Sequence, residues 1–318
     1  MIHYYTTDKG KLVELDAPQR GCWIHISPPI DVEDLKEISE EHAIPLDFLT
    51  DSLDMDERSR YEKEEDVRLI LINSPILNDD EYLDNEAFYI TSPIGIILTA
   101  KNIFTISPVN APVIDRFLEG RVKSVNINRE DKFVLQILEQ TVFSFLDSLK
   151  KLNLKRHLIE RELYDSSRTS ELQQLLRIEK SLVYFVNSLS SNELLKLKMK
   201  RTDFLGLKND EVLTDLFEDI IIDNGQALEM ANVYTNILSG TMEAYASIIS
   251  NNLNIFIQRL TVVTIILMVP TLVASFYGMN VPLPFGHEES ENVFVYIVIV
   301  SVIVSLFLAW FFRRKNFF

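Results

Sequence analysis

The sequence predicts an α+β membrane protein: an N-terminal cytosolic domain of mixed α/β structure, long antiparallel helices, a stalk helix and two C-terminal transmembrane helices. Three observations support this fold class. Short β-rich runs separated by turn residues fill the first part of the chain. A period of 3.6 residues replaces them from residue 129 onward. Two apolar runs without charged residues stand close to the C-terminal end.

The N-terminal part alternates strand and helix patterns. Five short runs are rich in β-branched and aromatic residues, and the last three follow each other closely enough to predict an antiparallel meander. Helical patterns intervene at 31–42 and 46–54, with Asp31 as a candidate N-cap. The predicted strands are 21–27, 67–74, 86–92, 94–100 and 102–108.

Three long helices are predicted after this region. The first, over 129–164, contains no proline or glycine, and a second over 169–199 forms an antiparallel hairpin with it. A third begins near Asn209 and continues to Met279; its length of about 70 residues corresponds to about 100 Å, which predicts a stalk that enters the membrane. The predicted buried face of the first helix consists of Phe133, Ile137, Leu138, Phe145, Leu149 and Leu152.

The two apolar runs predict a transmembrane hairpin. No charged residue occurs between Arg259 and Glu288 or between Val293 and Phe312. Each run supplies the roughly 20 apolar residues that cross a hydrocarbon core of about 30 Å. Arg259 and the tail "RRKNFF" flank the pair with positive charge, and the loop between the spans has no Lys or Arg. The positive-inside rule therefore predicts both termini in the cytosol and the loop outside.

Composition argues against several classes of function. The formal net charge of −16 disfavours a nucleic-acid partner and suits a protein that collects cations. Cys22 is the single cysteine, so no disulfide can form within the chain. No leader pattern opens the sequence, so we expect the soluble part to stay in the cytosol. The five histidines show no metal-ligand spacing, and we expect the protein not to be an enzyme.

A polar stripe runs along the first apolar segment. Its members recur with a period close to 3.5 residues, and two apolar residues fill the remaining positions. Such a stripe either packs against other helices, with hydroxyls bonded to their own helix, or lines a pore with apolar constrictions that gate by dewetting. Two helices per chain cannot enclose a water-filled path, so a pore requires an oligomer. The stripe consists of Asn254, Ile257, Thr261, Thr264, Met268, Thr271 and Ser275.

The segment 250–280 contains a set of residues that mark one family. They are Asn254, the Leu260-Thr261 pair, Pro270 and the Tyr277-Gly278-Met279-Asn280 end of the first span. With these residues the segment resembles the signature of the CorA family of divalent-cation (magnesium/cobalt) channels. The resemblance extends to the whole architecture, and it implies a homopentamer in the inner or cytoplasmic membrane. A cytosolic α/β funnel and a central pore lined by the first span are implied with it.

Together these features predict how the chain is divided. The segments are 1–125, a cytosolic α/β domain; 126–208, a long helical hairpin; 209–253, a stalk helix; 254–279, the first transmembrane, pore-lining helix; 280–291, an extracytoplasmic loop; 292–313, the second transmembrane helix; and 314–318, a basic cytosolic tail.

The resemblance implies that Gly278, Met279 and Asn280 form a selectivity filter. Mg²⁺ gives up its water shell reluctantly and demands octahedral geometry. A ring of Asn280 carbonyls can accept hydrogen bonds from that water without a charge that would retain the ion. Glycine at position 278 permits a turn or a close approach of five backbones.

The loop after the filter departs from the family pattern. Many members carry Met-Pro-Glu-Leu here, whereas this chain has "VPLPFGHEESE", so the loop acid does not transfer. Glu288, Glu289 and Glu291 either raise the local cation concentration or form an ordinary solvated loop. His287 either binds softer ions or is simply solvated. The preferred ion among Mg²⁺, Co²⁺, Ni²⁺ and Zn²⁺ therefore stays open.

An acidic row lies at the start of the third long helix. Glu211, Asp215, Asp219 and Asp223 are spaced four apart, which costs about 0.2–0.5 kcal/mol for each like-charged pair unless something offsets it. The row is either a solvated face or a regulatory site; the resemblance matches Asp219 to a stalk carboxylate that holds Mg²⁺ between neighbouring subunits. Its partner would come from "DDEYLDNE", and the candidates are Asp79, Asp80, Glu81, Asp84 and Glu86.

The sequence contains no energy-coupling motif. It has no Gly-x-x-x-x-Gly-Lys stretch for an ATP-driven pump, and its apolar runs have no ionisable residue for a proton relay. The membrane potential supplies about 2.3 kcal/mol per charge per 100 mV, and roughly twice that for a divalent ion. We therefore predict passive Mg²⁺ influx. The alternatives are a zinc-type relative that couples Zn²⁺ transport to protons, and a membrane-anchored oligomeric scaffold without transport.

Overall fold

The computed structural model describes residues 1–78, 87–165, 169–279 and 293–315. Its chain divides into two compact units, Met1–Gly240 and Thr241–Phe318. One helix contributes residues to both units.

The elements follow one another as strands and short helices first and long helices afterwards. In chain order they are β1 (Ile2–Asp8), β2 (Lys11–Leu15), β3 (Trp23–Ile26), α1 (Val32–His42), α2 (Leu46–Asp51), β4 (Arg60–Glu64), β5 (Val67–Leu77), β6 (Tyr89–Leu98), β7 (Ile103–Ile106), α3 (Pro112–Leu118), α4 (Glu130–Asp165), α5 (Thr169–Thr202), a 3₁₀ turn (Leu207–Asn209), α6 (Glu211–Tyr277) and α7 (Val293–Arg314).

The seven described strands form one sheet in the order β2-β1-β3-β7-β6-β5-β4. Neighbouring strands are antiparallel except β3 and β7, which are parallel. A parallel pair needs a crossover, and here the chain between its two strands contains α1, α2 and β4 to β6. The first unit therefore has the mixed α/β architecture that the sequence predicts.

Both faces of the sheet are covered, because successive residues of a strand point to opposite sides. Ile96 packs in a core with Phe133 of α4 and Phe217 of α6. The next residue, Ile97, packs in a second core with Phe48 of α2. Burying a side chain of this size stabilises the fold by about 1.5–3 kcal/mol. The sheet thus separates α1 and α2 from the longer helices.

The predicted buried face of α4 is confirmed. Its apolar residues recur at helical spacing, and the ring of Phe145 meets Phe185 of α5 edge-on at a centroid distance of 5.3 Å. This contact joins the two helices of the predicted hairpin. Each of the following side chains is at most 1% exposed: Phe133, Ile137, Leu138, Phe145, Leu149 and Leu152.

The predicted three-stranded meander over 86–108 is wrong. Residues 89–98 form the single strand β6, which contains Pro93 and pairs with β5 on one side and β7 on the other. Proline is tolerated because the pairing with β7 begins only at Gly95, so the edge of β6 at Pro93 needs no donor on that side. The proline therefore marks the end of a ladder and not a turn.

Strands β1, β2 and β4 and helix α3 were not predicted from the sequence. The first two form a hairpin in which Asp8 pairs with Lys11, and both turn residues, Lys9 and Gly10, have positive φ (50° and 78°). This geometry matches the type I′ turn, which favours glycine and suits the twist of a hairpin. The sequence signal was the Gly10 turn; these partly exposed strands otherwise show little apolar alternation.

A buried amide closes one open edge of the sheet. Strand β4 pairs with β5 no further than Leu71, so the backbone of Asn73 lacks a strand partner on that side. Asn192 of α5 fills the place: its Oδ1 accepts from Asn73 N at 3.1 Å and its Nδ2 donates to Asn73 O at 2.8 Å. Since buried backbone polar groups must be paired, Asn192 docks α5 on the sheet at a fixed position.

We predict that Gly95→Ala destabilises the first unit. An added Cβ would lie 2.0 Å from Ser52 Oγ and 2.5 Å from Ser52 Cβ, and Ser52 is fully buried. Overpacking of this kind costs about 1–3 kcal/mol. Thermal unfolding of the full-length protein in detergent measures the loss, and the double variant Gly95→Ala/Ser52→Gly should recover most of it. An unchanged unfolding temperature in the single variant would contradict the close approach.

Candidate ion pathway and regulatory carboxylates

Two described helices, α6 and α7, are long and apolar enough to cross a membrane by length and composition. They meet at a polar contact: Ser305 Oγ, which donates to Ser301 O of its own helix at 2.9 Å, lies 3.5 Å from Ile266 O of α6. Val262 is 3% exposed and Ser301 6% exposed, one turn away on each helix. This side of α6 therefore faces α7.

The polar stripe lies on a different side of α6. Four residues that lie off the stripe are buried or half-buried: Val262, Ile266, Val269 and Val273. Met268, by contrast, is 61% exposed and Ile257 50% exposed. All members of the stripe are exposed in the single chain: Asn254, Ile257, Thr261, Thr264, Met268, Thr271 and Ser275.

The threonines of the stripe bond to their own helix. The hydroxyls of Thr261, Thr264 and Thr271 donate to the carbonyl oxygens four residues earlier, at 2.8, 2.8 and 2.9 Å. This pattern satisfies the hydroxyl hydrogen and leaves the oxygen lone pairs directed outward, where they can accept from water or a hydrated cation. The stripe is therefore chemically an acceptor surface without charge.

The predicted filter begins at the C-terminal end of α6. Gly278 N donates to Ala274 O at 3.0 Å, and Met279 N to Phe276 O at 3.4 Å, so the helix tightens as it ends. Gly278 does not share the left-handed φ of Gly206, and an added Cβ would lie 3.3 Å from Ala274 O. A left-handed turn is therefore not the reason for glycine at 278, and the close approach of five backbones stays a prediction.

Several predicted site residues lie outside the described residues. They are the filter residue Asn280, the loop residues His287, Glu288, Glu289 and Glu291, and the candidate partner acids Asp79, Asp80, Glu81, Asp84 and Glu86.

The acidic row is confined to one exposed side of α6. Glu211, Asp215 and Asp219 are exposed, and Asp223 is half-buried. Among the described residues, no group of three or more His, Cys, Asp or Glu side chains could hold a metal ion. Within the described part of one chain, Asp219 is thus not brought together with the ligands of a complete site.

Basic residues from other helices act on the start of α6. Arg129 Nη2 lies 3.0 Å from Asp210 Oδ2, and Lys200 Nζ lies 2.6 Å from Glu218 Oε1. A hydrogen bond from Leu213 N, followed by the one from Arg129, lowers the pKa of Asp210. Lys208 is the base that lies near the row in the sequence, whereas residues such as Lys200 approach only in the folded chain.

Asp223 has a carboxylate neighbour that the sequence did not reveal. Glu139 of α4 is half-buried, and burial, with a smaller contribution from the negative charge of Asp223, raises the pKa of Glu139. A hydrogen bond with Gln140 opposes this shift. The last carboxylate of the row therefore lies within electrostatic range of α4, whereas Asp215 and Asp219 remain on the exposed side.

These features define an integral membrane protein in which one long helix belongs both to an α/β unit and to a two-helix unit of membrane-length segments. A family model described as "CorA-like Mg2+ transporter protein" matches residues 18–314. The chain therefore belongs to the CorA family.

Known relatives agree with this assignment. The "Cobalt/magnesium transport protein CorA" of Methanocaldococcus jannaschii is 26% identical over 299 residues, which cover 93% of this chain and 91% of the relative. The complete structure of the CorA magnesium transporter from Methanocaldococcus jannaschii superposes with a TM-score of 0.81 at 24% identity and covers 100% of this chain and 99% of that one. The fold is therefore shared along the full length.

A second solved structure shows how widely the fold of the first unit is used. The ZntB cytoplasmic domain from Vibrio parahaemolyticus has a TM-score of 0.59 at 11% identity and covers 78% of this chain and 98% of that domain. At this identity the likeness concerns the fold alone.

Proposed function

We propose that this protein is a passive channel for Mg²⁺ influx across the inner or cytoplasmic membrane, with Co²⁺ and Ni²⁺ as further candidate ions. The observation that carries the proposal is the exposed stripe on α6, which lies on a different side from the residues that face α7. Membership of the CorA family and the names of the relatives supply the ion class.

The proposed pore is built by five copies of the chain. The five exposed polar residues along one side of a membrane-length helix are unfavourable in lipid and favour a protein or water partner. Neighbouring copies of α6 supply that partner, and their acceptor oxygens line the path. Met268 and Ile257 form the apolar constrictions at which the path can dewet and close.

The orientation follows from the flanking charges. Arg313 and Arg314 end α7 and Lys315 follows it, so we place both termini in the cytosol and the loop outside. The membrane potential then drives divalent cations inward with roughly 4.6 kcal/mol per 100 mV. Asn280 forms the outer ring that recognises the ion through its water shell, beside Gly278 and Met279.

A zinc-type transporter coupled to protons is the second candidate. The specific observation in its favour is the fold shared with the ZntB cytoplasmic domain. The apolar runs of this chain contain no ionisable residue for an intramembrane proton relay, which favours the uncoupled channel. A scaffold without transport is the remaining alternative, because a stalk that only oligomerises needs no pore.

Uptake into sealed liposomes tests the proposal. We expect an inside-negative potential to drive Mg²⁺ and Co²⁺ uptake without a pH gradient, and Asn280→Ala to abolish most of it while assembly remains intact by size-exclusion chromatography. Asn187→Ala, at an exposed position on α5, serves as the control. Wild-type uptake by Asn280→Ala would remove this residue from the filter. Uptake of Zn²⁺ that depends on a pH gradient would favour the zinc-type transporter. The absence of any uptake would favour the scaffold.

The constrictions are tested by shortening one side chain. Met268→Ala should widen and wet the path, so that uptake rises several-fold at internal Mg²⁺ concentrations that close the wild type. Leu267→Ala is the matched control, since Leu267 is 64% exposed on the same helix but lies off the stripe. Unchanged flux in both Met268→Ala and Ile257→Ala would place the gate elsewhere.

Cytosolic Mg²⁺ also regulates the proposed channel. Mg²⁺ retains most of its water and needs one or two carboxylates, and the exposed Asp219 and Asp215 fit this demand as hard oxygen ligands. Asp223 lies further along the same row, and the partner acid, Asp80 or Asp84 among the candidates, would come from a neighbouring subunit. Bound Mg²⁺ would screen the facing carboxylates and favour the closed arrangement, because paired carboxylates that separate on opening give the ion a differential affinity.

We expect Asp219→Asn to weaken this regulation. The variant should need several-fold more internal Mg²⁺ to inhibit uptake and should lose Mg²⁺-dependent protection of the cytosolic domain against proteolysis. Asp34→Asn, at an exposed position on α1, should behave like the wild type. If both responses of Asp219→Asn keep the wild-type Mg²⁺ dependence, Asp219 is not part of the sensor.

A further inference from the structure

A lysine is fully buried between α5 and α6. The side chain of Lys196 is 0% exposed, and its Nζ donates to Asn224 Oδ1 at 2.7 Å. Asn224 is also fully buried, and its Nδ2 donates to Leu189 O of α5 at 3.0 Å. An ammonium group has three donors and is seldom buried without a carboxylate. Among the described residues, the group that accepts the hydrogen bond from Lys196 Nζ is a neutral amide.

The position of this contact connects the sheet to α6. One turn earlier on α5, Asn192 binds the backbone of Asn73 in β5. Two buried polar side chains on the same face of α5 thus attach the helix to the sheet and to α6. Lys200, one turn further on, continues the attachment through Glu218 at the exposed end. Lys196 is the buried one of the two α5 lysines that hold α6.

Few charged groups act on Lys196. On α5 itself, Glu193 favours the charged form, and an added Cβ on Gly225 of α6 would lie only 3.2 Å from Glu193 Oε1. The facing residues of α6, Asn224 and Gly225, are uncharged, and so is Asn192 toward the sheet. The negative charge of Asp223 acts instead on Glu139 of α4. Burial outweighs the attraction of Glu193 and lowers the pKa of Lys196 to about 7.

A purely structural role would leave the contact indifferent to pH. A polar residue in an apolar interface can fix the register of two helices, and a neutral side chain would serve equally well. A lysine differs because it titrates, and its charged form is disfavoured when the contact is closed. The chemistry of the contact therefore makes its strength depend on proton concentration.

We infer that Lys196 is a positioning residue that holds α6 against α5 in a proton-dependent manner, so that cytosolic pH adjusts transport through α6. The inference deepens the proposed function and rests on α6 as the pore helix. Protonation places a charge beside a single amide and loosens α6, whereas the neutral amine keeps the hydrogen bond to Asn224 without the cost of a buried charge.

The direction and size of the effect follow from linkage. A lysine released from the contact has an ordinary pKa of about 10.4, above that of the closed contact, so the loosened form binds more protons. The stability of the closed contact therefore increases as pH rises above 7. Below pH 7 it is at its lowest and changes little with pH. Between pH 8 and pH 6 the ratio of loosened to closed forms should increase about tenfold.

Amide hydrogen exchange of the full-length protein tests the inference. With equal pH on both sides of the membrane, protection factors of α6 residues 213–231 are measured at pH 8 and pH 6; these factors correct for intrinsic exchange. We expect about a tenfold drop in the wild type. Lys196→Met has a side chain of similar length that does not titrate, and it should show no drop. Lys198→Met, at an exposed position on the same helix, should follow the wild type.

A second variant guards against a folding defect. Asn224→Asp supplies a carboxylate to Nζ, keeps Lys196 charged across this pH range and should also remove the drop.

In liposomes the internal Mg²⁺ concentration that halves uptake should rise several-fold at pH 6 in the wild type and in Lys198→Met, and in no other variant. Retention of the wild-type pH response by Lys196→Met, or no response in the wild type, overturns the inference. Mg²⁺ uptake without pH dependence would still support the channel, whereas absence of uptake with a normal exchange response would contradict the channel alone.

Discussion

A single helix has to meet different surroundings along its length, and the rest of the structure depends on how α6 divides its side chains among them. Near its start, Leu213 and Phe217 join the core beside the sheet. In its apolar part, Val262 and Ile266 lie on the side that meets α7. These contacts leave most of the acidic row exposed in one part and the whole polar stripe exposed in the other. Packing within one chain therefore leaves both sets of residues uncovered.

Polar as well as apolar contacts attach α6 to α5, and the polar contacts fix the position of α6 more strictly. Apolar contacts between two helices survive a small displacement of one helix. A buried amide or ammonium group does not, because the displacement moves it away from its hydrogen-bond acceptor. Asn224 accepts from Lys196 and donates to Leu189 O, so it fixes α6 both along and around its axis. Any movement of α6 that transport requires must either carry α5 with it or break these bonds.

Sequence patterns predicted the features that depend on local periodicity. The buried face of α4 and the stripe of α6 follow from helical spacing alone, since neighbouring helices cover or expose whole faces. The single strand β6 was missed because Pro93 suggests a turn, and only the extent of β7 explains why it is tolerated. Lys196 could not be found, because a lysine in a helix normally indicates a solvated face until Asn224 is placed against it.

In the proposed channel the carboxylate row and Lys196 would act on the same equilibrium, which would make them interdependent. A divalent cation on the row would favour the attached arrangement of α6, and so would the neutral form of Lys196. Effects that share one conformational equilibrium are reciprocal: protons that weaken the attachment would lower the apparent affinity for regulatory Mg²⁺ by some factor, and Mg²⁺ would lower the apparent proton affinity by that same factor. An acidic cytosol would thus leave the channel more open at a given internal Mg²⁺ concentration, without any proton crossing the membrane with the ion.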